Sequence, residues 1–288
     1  MDWAFVLRLE VAGGAFLPFF DMRSATVLRE VCSELRTAVA EHAWSDCSHI
    51  KGSLAAWRAG FPRARQASIE LRTDLSDADF VHLAGIHTLN MRSCNQAAIT
   101  DAAFVHLAGI HTLNMEGCDQ ANVTDAAFVH LAGVHTLSMA CCNQATITDA
   151  AFVHLAGIHT LNMRACRQAT ITDAAFVHLA GIHTLNMRGC NQATITDAAF
   201  VHLAGIHTLD MSSCHRATIT DAAFVHLAGI HWLDMCGCTQ ATITHAAFEH
   251  WHLTAVTVTQ YASTKLSLLN GGFIICSNSM YRLVYASG

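Results

Sequence analysis

The chain has 288 residues, of which 52% are apolar and 13% charged, the composition of a packed protein rather than a disordered one. Nine basic and nine acidic residues fall in 1–75, five against twelve in 76–243 and two against one in 244–288, which gives the net charge of −6. No basic stripe of the kind that neutralises a phosphate backbone is present, which argues against nucleic-acid binding and against anionic lipid surfaces.

Taken from the N-terminus, the apolar run at 11–20 is too short to span a bilayer, and Arg8 and Glu10 interrupt the stretch that a signal peptide would need. The expectation is a soluble, intracellular protein of the cytoplasm or nucleus with no membrane contact. Phe16, Leu17, Ala25, Leu28, Val31, Cys32, Leu35, Val39 and Trp44 are spaced as helices with apolar faces. Residues 53–62, with Trp57 and Phe61, predict a linking helix, and 67–73 a capping strand. The only prolines are Pro18 and Pro62, so there is no proline-rich linker.

From Ser76 onward the string Thr-Asp-Ala-Ala-Phe-Val-His-Leu-Ala-Gly-Ile-His-Thr-Leu-Asn-Met returns, with small changes, every 24 residues. Seven units begin at Ser76, Thr100, Thr124, Thr148, Thr172, Thr196 and Thr220, and an eighth, decaying copy begins at Thr244. Within a unit Thr100 suits a helix N-cap, Asp101 puts a carboxylate in the first turn, and Gly109 fits just past the end, so a helix of about two turns is predicted. A strand follows in which Leu113 and Met115 point inward while Thr112, Asn114 and Glu116 point outward. Cys118 comes next, and Val123 closes the return. One unit buries too little apolar surface to offset the entropy of ordering it, so neighbours must supply the strand ladder and both ends need caps.

The pattern Leu-x-x-Ile-x-x-Leu-x-Met-x-x-Cys resembles the leucine-rich repeat, in its cysteine-containing variety, with Cys in the place usually held by Asn and Ile-Thr-Asp leading into the helix. The resemblance covers residues 76–243 and implies an α/β solenoid of seven 24-residue units with parallel strands on the concave face. Its units are shorter than those cysteine-containing members usually have.

Three columns vary between units while the helix and core letters hardly change. The first is Arg92, Glu116, Ala140, Arg164, Arg188, Ser212 and Cys236, and the second is Ser93, Gly117, Cys141, Ala165, Gly189, Ser213 and Gly237. The third is Asn95, Asp119, Asn143, Arg167, Asn191, His215 and Thr239. By alternation the first column shares the concave face with Asn90, Asn114, Ser138, Asn162, Asn186, Asp210 and Asp234, a ribbon roughly 30 Å long that would suit a protein or peptide target. Candidate target-binding residues are therefore Asn90, Arg92, Asn114, Glu116, Asn162, Arg164, Asn186, Arg188, Asp210, Trp232 and Asp234. The alternative is drift at exposed positions, and Trp232, which replaces a threonine, could be a contact anchor or could pack under the C-terminal cap.

Fourteen of the twenty histidines are two repeat columns that begin at His82 and His87, so duplication explains their number. Imidazole ladders could take up zinc opportunistically, but no resident metal or cofactor is expected. Cys94, Cys118, Cys142, Cys166, Cys190, Cys214 and Cys238 should form a buried ladder with each thiol near the next turn's backbone, pointing in parallel and so not disulfide-bonded. A linear array that repeats the same residues offers no unique cleft for a nucleophile, base and orienter, and Gly13-Gly14 and Gly271-Gly272 lack the rest of a phosphate loop, so an enzyme is not expected. At the C-terminus, 254–259 reads as a strand one residue out of register and 263–269 as a short helix. Strands at 273–276 and 280–285 then read as an edge-covering hairpin or a poorly ordered tail.

The N-terminal segment, read with the repeats behind it, resembles the F-box. Phe20-Asp21 leads to a helix carrying Val31-Cys32, with Leu35 three residues on and Trp44 closing. The family usually opens with Leu-Pro and an acidic residue, for which Leu7, Leu9 and Glu10 offer only the leucine and the charge. An F-box followed by cysteine-containing leucine-rich repeats implies the domain order 1–50 F-box-like module, 51–75 linker helix and capping strand, 76–243 repeats and 244–288 C-terminal cap. It further implies a substrate-recognition subunit of a Skp-cullin-F-box ubiquitin ligase, monomeric apart from that complex. The Skp-type adaptor would bind through Phe16, Leu17, Leu28, Val31 and Leu35, and a target protein would lie on the concave face. The rival is a leucine-rich-repeat binding scaffold unconnected to ubiquitin, its helices only a cap.

Overall fold

The computed structural model describes residues 17–46 and 48–248, together with three strands at 257–260, 273–277 and 280–284. Phe16 and the helix expected at 263–269 lie outside the described residues. Three helices come first: α1 (Met22–Val31), α2 (Ser33–Glu41) and α3 (Leu54–Gly60). Asp21 starts α1 by accepting the Ser24 N–H at 2.7 Å, and Ser53 starts α3 by accepting that of Ala56. Leu17, Met22, Ala25, Val39, Trp44, Phe61 and Ala64 make a small core of their own. Trp44 occupies it without an orphaned donor, because its Nε1–H reaches the Val39 carbonyl at 2.8 Å.

Behind α3 the chain winds as a parallel solenoid. Strands β1 (Gln66–Ser68), β2 (Thr88–Asn90), β3 (Thr112–Asn114), β4 (Thr136–Ser138), β5 (Thr160–Asn162), β6 (Thr184–Asn186), β7 (Thr208–Asp210) and β8 (Trp232–Asp234) follow one another in a single sheet. From β2 to β8 each residue pairs with the one 24 positions on, so Leu113 meets Leu137 and Leu137 meets Leu161. The alternation that was read from sequence holds: the central leucine of each strand is buried and its flanking residues are half-exposed. The helix differs from a plain two-turn α-helix. Asp101–Phe104 is one α turn, and Val105–Leu107 tightens to a 3₁₀ turn, which gains more length per residue and so crosses the unit within a short repeat. Gly109, at φ +81°, then reverses the chain.

Two ladders join each unit to the next. The carboxylate of Asp101 accepts the backbone N–H and the hydroxyl of Thr124, both at 2.7 Å, and the same pair recurs from Asp77 with Thr100 to Asp221 with Thr244. Inside, Phe104, Leu107, Ile110, Leu113, Met115, Cys118 and Val123, with their counterparts, form one continuous core along the solenoid. At the N-terminal end Trp57 packs against both this core and that of the helices. Arg58 secures the junction by donating to the carbonyls of His82 at 2.6 Å and Ala84 at 3.0 Å, and its partial burial lowers its pKa.

The other end breaks the period. β9 (Thr257–Gln260) pairs in parallel with β8, but Trp232 meets Thr257, one residue beyond the repeat offset. β10 (Phe273–Ser277) and β11 (Met280–Val284) form an antiparallel hairpin whose second strand runs antiparallel to β9, which places it at the sheet's edge.

Candidate functional site

The concave face is built from the outward residues of β2 to β8 and the turns behind them. The column of Asn90, Asn114, Asn162, Asn186, Asp210 and Asp234 is half-buried, because each Oδ1 accepts the N–H two residues on, at 2.8–3.2 Å. These side chains close the turn after the strand as well as edging the face. Of the next column, Arg92, Arg164 and Arg188 are exposed, whereas Ala140 and Ser212 are buried and do not reach the surface. Glu116 lies between two arginines, 3.8 Å from Arg92 Nε and 3.4 Å from Arg164 Nη2. Arg188 has no acidic partner among the described residues. Asp210 and Asp234 adjoin on β7 and β8, and Trp232 stands half-exposed opposite Thr208. The face therefore runs from a bridged Arg-Glu-Arg group through Arg188 to an acidic end beside a tryptophan.

The other two variable columns have backbone reasons. Ser93, Cys141, Ala165 and Ser213 take φ of +56° to +58° and Gly117, Gly189 and Gly237 take +67° to +74°, so the second column is a turn in the left-handed backbone region. In the third, Asn95 Oδ1 accepts Asp119 N–H, Asp119 accepts Asn143 N–H, and Asn143 accepts Arg167 N–H, at 2.8–2.9 Å. A further column went unnoticed in the sequence. Gln120 and Gln144 are buried and donate through Nε2 to the carbonyls of Cys94 and Cys118. Its signal was a glutamine kept in six of the seven units, with Arg216 in the other, where exposed neighbours vary more.

The cysteine ladder is buried as expected, but each thiol reaches back rather than forward: Cys118 Sγ donates to Met91 O at 3.1 Å and Cys142 to Met115 O at 3.1 Å. Burial pushes the thiols up, Cys94 to about 11 and Cys118, Cys166 and Cys238 to about 12, which leaves them protonated and poor nucleophiles. The column from His87 to His231 forms one continuous stack, with successive rings 4.4–4.6 Å apart and tilted by 11° to 24°. Parallel rings send their in-plane lone pairs in parallel directions, so adjacent members do not converge on one ion. Among the described residues no group of three His, Cys, Asp or Glu side chains has the geometry to hold a metal.

In the helical module the residues expected to meet an adaptor divide. Leu17 and Leu35 are buried, Leu28 is half-buried against the module's core, and Val31 is 62% exposed. Phe19 at 87% and Val27 at 65% are exposed as well, and Val27 and Val31 lie one turn apart on α1. The loose apolar spacing of this segment does not tell which residues face inward.

Parallel strands in strict register, one short helix per turn and a shared core define a repeat solenoid. It is a leucine-rich-repeat solenoid with an N-terminal helical region. Among solved structures it is similar to a TLR13-ssRNA13 complex, with 16% identity and a TM-score of 0.57, over 70% of this chain and 29% of that one. It is also similar to the Drosophila Toll-Spatzle complex, with 15% identity and a TM-score of 0.52, over 78% of this chain and 35% of that one. A crystal structure of yeast Rad7 with Elc1 shares 18% identity at a TM-score of 0.46, over 70% and 64% of the two chains. The chain thus spans about a third of the length of the chains it matches in the TLR13 and Toll complexes, and at these identities the likeness is one of fold. No family model matches the chain, and no curated protein matches it in sequence. Among the described residues no helix is long and apolar enough to cross a membrane.

Proposed function

We propose that the chain is the substrate-recognition subunit of a Skp-cullin-F-box type ubiquitin ligase, holding a Skp-type adaptor through its helical module and a target protein on the concave face. The observation that carries the reading is the exposed apolar pair Val27 and Val31 on α1, with Phe19 exposed ahead of that helix, on a module that has a closed core of its own. The F-box-like order of Asp21, Val31-Cys32, Leu35 and Trp44 ahead of cysteine-containing repeats supports it. The target would read Arg164, Arg188, Asp210, Trp232 and Asp234, the part of the face where unpaired charge and a tryptophan stand together. In this reading the chain catalyses nothing, needs no cofactor and works inside the cell; protonated ladder thiols and an array without a unique cleft favour that view.

Val27 and Val31 are exposed, so charging them tests binding without opening the core. Full-length chain is expected to co-purify stoichiometrically with a eukaryotic Skp-type adaptor, and a Val27→Asp, Val31→Asp double variant with an unchanged melting curve is expected to lose it. A folded wild-type chain that captures no adaptor would end the ligase reading. The second reading, a binding scaffold whose helices only cap the solenoid, is favoured by Arg58 and Trp57, which fasten the helical module to the first repeat.

A further inference from the structure

A third surface belongs to neither reading: the outer face made by the helical turns of the repeats. From Val81 to Val225 a valine stands at the same place in all seven units, each between 48% and 50% exposed. Exposed alanines border it, Ala102 and Ala108 around Val105 and their counterparts in every other unit, with Gly109 exposed beyond. From the second unit to the seventh no residue between that first alanine and the glycine carries a full charge, and the half-exposed histidine beside the valine, His106 in the second unit, is the one polar side chain there. The aspartate ahead of them, Asp101, spends both carboxylate oxygens on Thr124.

Seven half-exposed valines and fourteen exposed alanines amount to roughly 1,000 Å² of apolar surface, more than a monomer ordinarily leaves in one patch and above the roughly 800 Å² per partner that a stable interface covers. Packing does not explain why these exposed letters are fixed. In the same units the concave face has changed, Arg92 giving way to Glu116 and Cys236, yet the valine and both alanines are the same in all seven. A partner with a one-off surface would read one or two of these identical rungs. A partner that reads the row carries the same period, and the chain known to carry it is this one. Two copies laid antiparallel set rung against identical rung, Val129 against the copy's Val177 and Val153 against its own counterpart, whichever stretch of the row is in contact. A lipid surface would match the apolar character but has no period, and the twelve acidic against five basic residues of 76–243 disfavour an anionic bilayer.

We infer that the outer helical face binds a second copy of this chain in a closed two-fold pair. The copies lie side by side, so the ends of the sheet take no part, and the expectation of a monomer is set aside. The inference fails or succeeds without the adaptor reading.

The test is sedimentation equilibrium of the full chain from about 1 to about 100 µM, over which the mass should rise from 31.1 kDa toward twice that, with a Kd below about 10 µM. Val129 and Val177 are half-exposed, so a Val129→Lys, Val177→Lys variant should melt close to wild type and associate at least about a hundredfold more weakly, because like charges then face each other across the pair. A Val129→Glu, Val177→Glu variant should do the same, and the two variants mixed should pair again, which misfolded chains would not. Val27→Asp, Val31→Asp on α1 should leave association unchanged. A single 31.1 kDa species at about 100 µM, association unaltered by Val129→Lys, Val177→Lys, or a mixture that stays monomeric would each overturn the inference. Flotation of a monomeric wild type with phosphatidylcholine vesicles, lost in the Val129→Lys, Val177→Lys variant, would overturn it in favour of lipid.

Discussion

Asp149 shows how much one side chain contributes to a repeat. It sits in the first turn of its own helix, and its two oxygens take the backbone N–H and the hydroxyl of Thr172, both at 2.7 Å, in the next unit. The Thr172 hydroxyl meanwhile accepts the N–H of Ala174, so helix start and unit junction are one hydrogen-bonded group. Asp149→Ala strands a part-buried N–H and is expected to cost about 2–3 kcal/mol in urea unfolding, since bonds to a charged acceptor are the stronger kind. Asp149→Asn keeps one acceptor oxygen and should cost less. Equal stability of all three proteins would show that solvent replaces the ladder. The Thr-Asp pair was legible in the sequence as a helix cap; its reach into the next unit was not, because cap preference describes one helix and says nothing about stacking. Ala165 and Cys141 were likewise visible, but they are not glycine, so nothing local marked the left-handed turn in which they lie.

At the scale of the element, the imidazole stack is the feature with a solution consequence. His111 and His183 are held below the ordinary imidazole pKa of 6.5, first by desolvation and then by the neighbouring rings. The unfolded chain therefore takes up protons more readily than the folded one: stability is full above about pH 6.5 and falls as the pH drops below it. The melting temperature is expected to decline between about pH 7 and pH 5, and to decline less in a His111→Gln, His183→Gln variant; identical slopes would remove the stack as the cause. The strands were the most legible elements, since a strict 24-residue period in near-identical units leaves one register available. The stack was not legible, because period places histidines in a column while ring orientation is decided by side-chain torsions. The exposed apolar residues of α1 were partly legible: a loose helical period found α1 and α2 but left Leu35 and Val31 on the same footing, and only packing separates them.

For the molecule as a whole, contacts run from each unit to its neighbours, so stability should be a sum over units and junctions. Excision of residues 148–171 brings Thr172 to Asp125 and restores every ladder one step shorter. That variant is expected to give a folded, cooperatively unfolding protein with a smaller urea m-value, checked by circular dichroism. Removal of 148–159 alone puts helix against strand and should abolish folding. Cooperative unfolding of both, or of neither, would refute a modular solenoid.

The seam between β8 and β9 bears on how such a chain avoids its own kind. A row of identical parallel strands is a template, and an unfinished end would accept the start of another molecule as readily as its own next turn. Slipping β9 by one residue and turning β11 against it gives that end a different grammar from the rows inside. Units can therefore be gained or lost upstream of that seam without leaving a bare row for another copy to extend.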